Sequence, residues 1–474
     1  MPILKLHLEN VGPFDALELD FTDGKGNAHL GPHILTGVNG SGKTTVLKAI
    51  AACLAEPLDS QAVIAGRSSA DHGFDEETWL RLLKGRSNSS TEVLLGPTET
   101  AGSRIKVVDS DQHWVQSLME TEIYEASPVS EAEMTEADWE GLDEQREEHE
   151  ALIADQVRDI WDLGCVATYS PQPRLRWLAE LSFQQDTYLR KGWLSFDSTI
   201  DNRRLQDYWV DCFSREALSQ RAKTPKAPSS VDAIRKAVKA IFTGSALSAQ
   251  EAEPTVTLDG RTRPALLFGG MELDFSQLPS GVNATLSWVV DYLMRRDAFR
   301  WRDEQSSRAK PGVILIDEIE THLHPQWQRR ILNGIRAAFP NTQIIVTTHS
   351  PFVVTSCEDA RVHMLQVDKK GRAFIAETIE RPDGTSVDAT IHGVFGIKGR
   401  FGPEVEDLLT EWNELKKRDH FGKLNAKEKS RLRSLVKKIA SRGEELAAMV
   451  HEPVLSDELL EELLSATGPI PKRR

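Results

Sequence analysis

Two stretches decide the fold: Ile314-Leu315-Ile316-Asp317-Glu318 and, far upstream, Gly37-Val38-Asn39-Gly40-Ser41-Gly42-Lys43-Thr44. An apolar run ending in two acids is how a buried parallel strand delivers carboxylates to one edge of a sheet. In the octet, glycines let successive backbone N–H groups turn inward around a phosphate, and the following helix points its positive end at the same charge. Lys43 is then placed to bridge the β- and γ-phosphates and the Thr44 hydroxyl to hold Mg²⁺. Gly37, Asn39, Gly40, Ser41, Gly42 and Thr45 complete the expected phosphate cradle. Asp317 is expected on the Mg²⁺, directly or through water, and Glu318 beside the γ-phosphate, where it orients and deprotonates the attacking water. Both stretches in this order predict an ATP-driven protein.

Two further segments belong to the same chemistry. Val346-Thr347-Thr348-His349-Ser350-Pro351 follows the apolar run Gln343-Ile344-Ile345, so His349 sits at a strand end one helix after Asp317, within reach of a γ-phosphate. Leu278-Pro279-Ser280-Gly281-Val282-Asn283 precedes a helix over 284–295, and Ser280 with Gly281 offers a hydroxyl and free N–H groups to an anion, or an ordinary helix cap. His322 and His324 lack a third ligand at a metal-type spacing and read better as a loop at a subunit contact.

Around these anchors the chain reads as α/β. Residues 3–21 alternate apolar and polar about Val11-Gly12-Pro13, a β-hairpin. Residues 33–36 form a strand into the Gly-rich loop and 44–54 a buried helix. Further strands are expected at 92–95, 104–108, 165–169, 255–258 and 265–268, with 175–242 mainly helical and 311–351 alternating strand and helix. After Val394 the chain turns helical and charged.

The 474 residues carry a net charge of −15, which argues against a surface that coats nucleic acid throughout. The charge is uneven. Acids dominate from Glu120 to Asp155, whereas between Lys416 and Arg442 the only acids are Asp419 and Glu428. These runs read either as solvated helical faces or as an acidic docking lobe and a basic, partner-binding tail. Four scattered cysteines, no span of ~18–20 apolar residues and an N-terminus without a signal-peptide plan lead us to expect a cytoplasmic protein with reduced thiols and no membrane contact.

Together, Gly37–Thr45, Leu278–Asn283, Ile314-Leu-Ile-Asp-Glu-Ile-Glu-Thr-His-Leu-His-Pro325 and Thr348-His-Ser-Pro351 resemble the ABC-type ATPases of the RecF, structural-maintenance-of-chromosomes and OLD-nuclease group. The resemblance covers roughly residues 1–55 and 250–355. It implies an ABC-type P-loop ATPase head, a mixed sheet with an N-terminal antiparallel β-hairpin, carrying a helical insertion and a helical C-terminal tail. On that plan 1–115 and 251–395 form the head, 116–250 an acidic and helical insertion with a strand returning near 165–172, and 396–474 the basic tail. It also implies two protomers that sandwich ATP, with Ser280 and Gly281 of one facing Lys43, Thr44, Asp317, Glu318 and His349 of the other. Gln172 would take the place of the glutamine that contacts Mg²⁺. Pro279 and Val282 depart from the transporter signature, which bears on cross-subunit hydrolysis rather than on binding.

Within the group, the run Asp317–Pro325 and the segment from Thr385 to Leu409 look like the stand-alone ATPases of bacterial antiphage systems such as Septu and PARIS. That likeness implies a separate nuclease effector, of HNH or Toprim type, and DNA or a phage protein as trigger. No Toprim-like acidic constellation stands out in 357–474, since Asp368, Asp383 and Asp388 lie in loop-like sequence. A RecF-like repair ATPase that binds DNA is the alternative. A transporter subunit fits poorly with the insertion and the altered signature.

Overall fold

The computed structural model describes residues 2–64, 89–98, 101–110, 113–118, 165–169, 175–176, 193–194, 200–222, 230–242, 253–257, 263–268, 271–275, 277–298, 312–397, 399–420 and 422–451. The chain forms two compact units, Met1–Phe395 and Gly396–Arg474.

The first unit is built on two sheets. Strands β1 (Ile3–Glu9) and β2 (Ala16–Asp20) form the N-terminal hairpin, with Leu6 opposite Leu19 and Leu8 opposite Leu17. β1 also pairs with β4 (Ser90–Thr98), which continues through β5 (Ala101–Ser110) to β6 (His113–Leu118), all antiparallel. The other sheet is mainly parallel and carries the strand-end acids. It contains β3 (His33–Gly37), β7 (Cys165–Tyr169), β9 (Trp193–Leu194), β14 (Gly312–Ile316), β15 (Thr342–Thr347), β16 (Arg361–Val367) and β17 (Ala373–Glu380). Their spatial order is β17-β16-β3-β15-β14-β7-β9, and only the β16–β17 pair is antiparallel. The remaining strands are short or peripheral: β8 (Leu175–Arg176) pairs with β10 (Ile200–Asp201), and β11 (Glu253–Thr257), β12 (Arg263–Phe268) and β13 (Met271–Asp274) form a meander. Among the described residues the helices of this unit are α1 (Lys43–Ile64), α2 (Asn202–Ala222), α3 (Ser230–Phe242), α4 (Ser280–Ala298), α5 (Pro325–Gln328), α6 (Ile331–Ala338), α7 (Pro351–Val354) and α8 (Val387–Gly393).

Strand period explains why the central strands are apolar without interruption. Side chains alternate across a sheet, so a strand covered on both faces needs apolar residues at every position. Ile34, Ile314, Ile316, Ile344 and Val346 enter one core with Ile234 and Ile241 of α3, Val289 and Leu293 of α4, and Ile335 of α6. Their neighbours Leu35, Val313, Leu315 and Ile345 enter the opposite core with Val46, Leu47 and Ile50 of α1 and the inner face of the β1–β2 hairpin. Each such side chain contributes about 1.5–3 kcal/mol on burial. The sheets are tied together by the buried Gln343, whose amide accepts from the Ile3 N–H at 2.7 Å and donates to its carbonyl at 2.8 Å.

The structure differs from the sequence expectation at three places. Residues 175–201 contribute β8, β9 and β10 before helix begins at Asn202. β9 extends the free edge beside β7 in parallel, and backbone pairing to an existing edge overrides weak local helix preference. The boundary drawn at residue 115 falls inside β6, which is held by its ladder to β5. Asp388 lies in the first turn of α8, not in a loop. The acidic run from Glu120 to Asp155 lies outside the described residues.

The second unit packs α9 (Pro403–His420), α10 (Ala426–Ala440) and α11 (Glu444–His451) around Leu408, Trp412, Leu415, Leu435, Ile439 and Val450. Asn425 and Glu428 form a reciprocal capping box at the start of α10. Among the described residues no helix of either unit is long and apolar enough to cross a membrane.

One feature of the first unit fixes its response to acid. His33 and His363 stack at 5.5 Å between ring centroids, and His33 Nδ1 lies 3.2 Å from His363 Nε2 in the buried interior. Burial holds both imidazoles neutral, lowering His363 from 6.5 to about 4. The unfolded chain therefore takes up a proton near pH 6.5 that the native state refuses until about 4, and stability falls as pH falls through that window. His363 alone should remove about 2 kcal/mol between pH 7 and pH 5. Chemical denaturation at the two pH values should show a smaller loss in His363→Gln than in the native chain; equal losses would contradict this reading.

Candidate nucleotide site

The site lies where β3, β15 and β14 end side by side. Ile34 pairs with Val346 and Ile316 with Val346 from the other side, so the residues beyond these pairs converge at one edge. The Thr348 N–H donates to the Leu35 carbonyl at 3.1 Å and the Ile319 N–H to the Thr347 carbonyl at 3.2 Å, which locks the three strand ends together.

After β3 the chain turns through Val38, Asn39 and Gly40, all exposed, and enters α1 at Lys43. Gly42 has φ +87°, and a Cβ there would meet the Phe14 ring at 2.4 Å, so hairpin and loop approach too closely for any side chain. The same limit applies at Gly37, with φ +150° and the Leu365 carbonyl 2.2 Å from where a Cβ would sit. The Ser41 hydroxyl is buried with no partner, an unusual and costly state for a polar group. Lys43 folds back over the loop and donates to the carbonyls of Gly37 at 2.9 Å and Val38 at 3.1 Å. Burial lowers its pKa, opposed by the charges of Asp317, Glu318 and Glu320. Thr45 follows in the first turn of α1, half-buried.

Across 273 residues of chain, the Thr44 hydroxyl reaches both carboxylate oxygens of Asp317, at 3.1 and 2.9 Å. Asp317 also accepts from the Thr347 hydroxyl at 2.6 Å, and that hydroxyl accepts from the Glu318 N–H at 2.7 Å. Glu318 itself is exposed and held at φ +47°, a left-handed conformation that costs a non-glycine residue about 1–3 kcal/mol. Glu318 thus reaches solvent while Asp317 stays buried.

His349 is partly buried beside this cluster. Burial and then the Lys43 charge lower its pKa, while Glu320, Glu318 and Asp317 act the other way. Its backbone is clamped by Glu320, which accepts from the Thr348 hydroxyl at 2.6 Å and from the His349 N–H at 2.5 Å. Ser350 caps α7 and donates to Gln328 at 2.6 Å.

The structure thus brings Lys43, Thr44, Asp317, Glu318 and His349 to one sheet edge. Ser280 and Gly281 start α4 elsewhere on the unit: Ser280 is exposed, and a Cβ on Gly281 would meet the His322 carbonyl at 2.1 Å. The start of α4 therefore rests on the turn that follows Glu318. His324 caps α5, its Nδ1 accepting from the Gln326 N–H at 3.3 Å. Gln172 lies outside the described residues. Sequence reasoning assigned no role to Thr347 or Glu320. Thr347 was open to discovery, because the in-register pair Ile316–Val346 places it next to Asp317. Glu320 stands in the same motif as Asp317, but its partners are 28 and 29 residues away.

The donor set suits the group that the motifs imply. Thr44 Oγ1 and the Asp317 carboxylate are hard oxygen ligands of the kind Mg²⁺ prefers, and the unpartnered Ser41 hydroxyl, the Lys43 ammonium and the start of α1 offer donors to phosphate oxygens.

Fold, motif order and site together define the class: an ABC-type ATPase head. The family models and sequence relatives that match this chain agree. Residues 5–159 match the family model described as "AAA domain", and residues 273–355 match "AAA domain, putative AbiEii toxin, Type IV TA system". The chain is similar to the Septu protein PtuA of Bacillus thuringiensis, 28% identical over 30% of this chain and 37% of that one. The PtuA of Bacillus mycoides is 30% identical over 29% of this chain and 18% of its own length, so these matches span well under half of the curated relatives. The retron Ec83 probable ATPase of Escherichia coli is 24% identical over 78% of this chain and 72% of its own. Among solved structures, the SMC head domain from Thermotoga maritima covers 80% of this chain and 99% of its own at 15% identity, with a TM-score of 0.39.

The clamp on His349 yields a test. Glu320→Ala removes both acceptors at once, freeing the turn without touching the phosphate loop. ATP turnover should fall about 10- to 100-fold while ATP affinity stays within about threefold, because misplacing one group by ~1 Å costs that much in rate. Calorimetric titration and steady-state phosphate release separate the two; a loss confined to affinity would contradict the positioning role.

Proposed function

We propose that this chain binds and hydrolyses ATP as the sensor and scaffold of a bacterial antiphage system and controls a separate nuclease. The observation that supports the ATPase reading best is the Thr44–Asp317 contact, which joins the phosphate loop and the strand-end acid at one point. Lys43 would bind the β- and γ-phosphates, and Thr44 with Asp317 would hold Mg²⁺, which supplies neutralising charge on the phosphate oxygens. Glu318, turned outward by its left-handed backbone, would orient the attacking water and accept its proton. His349 would contact the γ-phosphate and so distinguish the triphosphate from its product. Gly37, Asn39, Gly40, Ser41, Gly42 and Thr45 would complete the cradle, and Gln172 would add a Mg²⁺ contact.

Ser280 and Gly281 would serve the γ-phosphate held by a second copy. The exposure of Ser280 at the start of α4 supports a homodimer or larger assembly closed by ATP. The defence role rests on the similarity to the Septu and retron ATPases. The partner in this reading is an HNH or Toprim nuclease, the trigger is DNA or a phage protein, and the protein works in the cytoplasm without membrane contact.

Two substitutions test the catalytic assignment. Lys43→Ala should abolish ATP binding in calorimetry. Glu318→Gln should bind ATP as the native chain does but lose hydrolysis by about 100-fold or more, since it removes a general base. Hydrolysis by Glu318→Gln at the native rate would refute the base. Tagged protein purified from its host should carry a nuclease; a chain recovered without one across ATP and ADP conditions would contradict the scaffold role.

A further inference from the structure

Several cations of the second unit serve its fold. Arg400 lies 3.9 Å from Glu445 and Lys416 sits over the Trp412 ring, and three further arginines pair with acids of α9 and α10: Arg431 makes a two-pronged contact with Glu411, both N–O distances 2.7 Å; Arg418 meets Glu428 at 2.7 Å; and Arg442 meets Glu404 at 3.2 Å. These pairs lie along the seam between α9 and α10. The apolar stripe of α10, Leu435 and Ile439 with Leu432 and Val436 at its margin, faces the same core. At 100° per residue, Arg433, Lys437 and Lys427 fall on the far side of the helix, with Ser430 and Ser434 between them, and Lys429 flanks them on the Val436 side. All six are exposed, and none of the four cations forms an ion pair among the described residues. The one acid of α10, Glu428, is turned away into its capping box and its bond to Arg418. In a chain of net charge −15, a face of four cations with no acid is a marked local reversal.

We infer that this face of α10 is a contact for the phosphate backbone of nucleic acid. From Lys427 to Lys437 the stripe runs about 15 Å, the length of several phosphates along one strand. Lysine, arginine and serine side chains are the usual donors to phosphate oxygens, and contacts of this kind position a protein without reading sequence. An acidic protein partner fits less well, because specific protein interfaces are anchored by apolar and aromatic side chains. Among the described residues of this unit, the large exposed apolar side chains, Ile397 and Met449, lie outside α10. This contact goes beyond the ATPase reading and does not depend on it.

The test uses the full chain, a labelled 30-base-pair DNA duplex of random sequence and fluorescence anisotropy across a salt series. Four phosphate contacts predict that affinity falls about 100-fold between 50 and 200 mM salt. The combined variant Lys427→Gln, Lys429→Gln, Arg433→Gln and Lys437→Gln leaves the seam arginines in place, so circular dichroism and basal ATP turnover should be unchanged. It should lose nearly all of that salt dependence. Lys369→Gln with Lys370→Gln, two exposed lysines of the β16–β17 turn, controls for loss of charge alone and should keep it. Duplex affinity equal in the native chain and the four-fold variant would overturn the proposal. So would an equal loss per charge in the control, or a variant defect seen with anionic vesicles or a nuclease partner but not with DNA.

Discussion

The hydrogen bonds that join Thr44, Asp317 and Thr347 are the constraint on which the rest depends. A hydroxyl at the start of α1, a carboxylate after β14 and a hydroxyl at the end of β15 meet only if three parallel strands end in register. The two-sided core enforces that register, because a slip by one residue would exchange the Ile34–Ile314–Ile344 face with the Leu35–Leu315–Ile345 face. Burial of apolar side chains thus fixes the placement of polar ones. The hairpin contributes from the other direction, since Phe14 closes over Gly42 and fixes the phosphate loop from outside.

Around this junction, bonds of long sequence range distribute the work. Thr347 holds both Asp317 and the Glu318 backbone, so the metal-type acid and the proposed base move together. Glu320 joins the same turn to Thr348 and His349, and Gln328 joins it to Ser350. Gly281 rests on His322 a few residues further along. The start of α4, which we propose faces a second copy, and the strand-end acids of the same copy therefore share one short turn, residues 318–324. In that proposal a shift at Glu318 on nucleotide binding would reach the start of α4 through this turn.

Much of this was legible in the sequence, for a physical reason. The phosphate loop, the Asp-Glu strand end and the Thr-His-Ser-Pro turn are local motifs whose backbone requirements are written in consecutive residues. The β1–β2 hairpin and the five-residue apolar strands announce themselves by period. What escaped was non-local. The short strands β8, β9 and β10 have too few residues to show alternation and exist because another strand offers its edge. β6 was cut by a domain boundary because its ladder partner, not its own composition, makes it a strand. The roles of Glu320 and Thr347 depend on partners about 30 residues distant. The division of the tail's cations into seam and stripe needed the packing of α9 on α10, which the bare charge run does not show.

In the proposed mechanism a triphosphate gripped between two copies turns nucleotide binding into closure. Sedimentation velocity of the native chain with Mg²⁺ and a non-hydrolysable ATP analogue, against Mg²⁺ and ADP, measures this closure itself. The mass should at least double with the analogue and not with ADP. One unchanging mass in apo, ADP and analogue conditions, with the analogue shown to be bound, would contradict it.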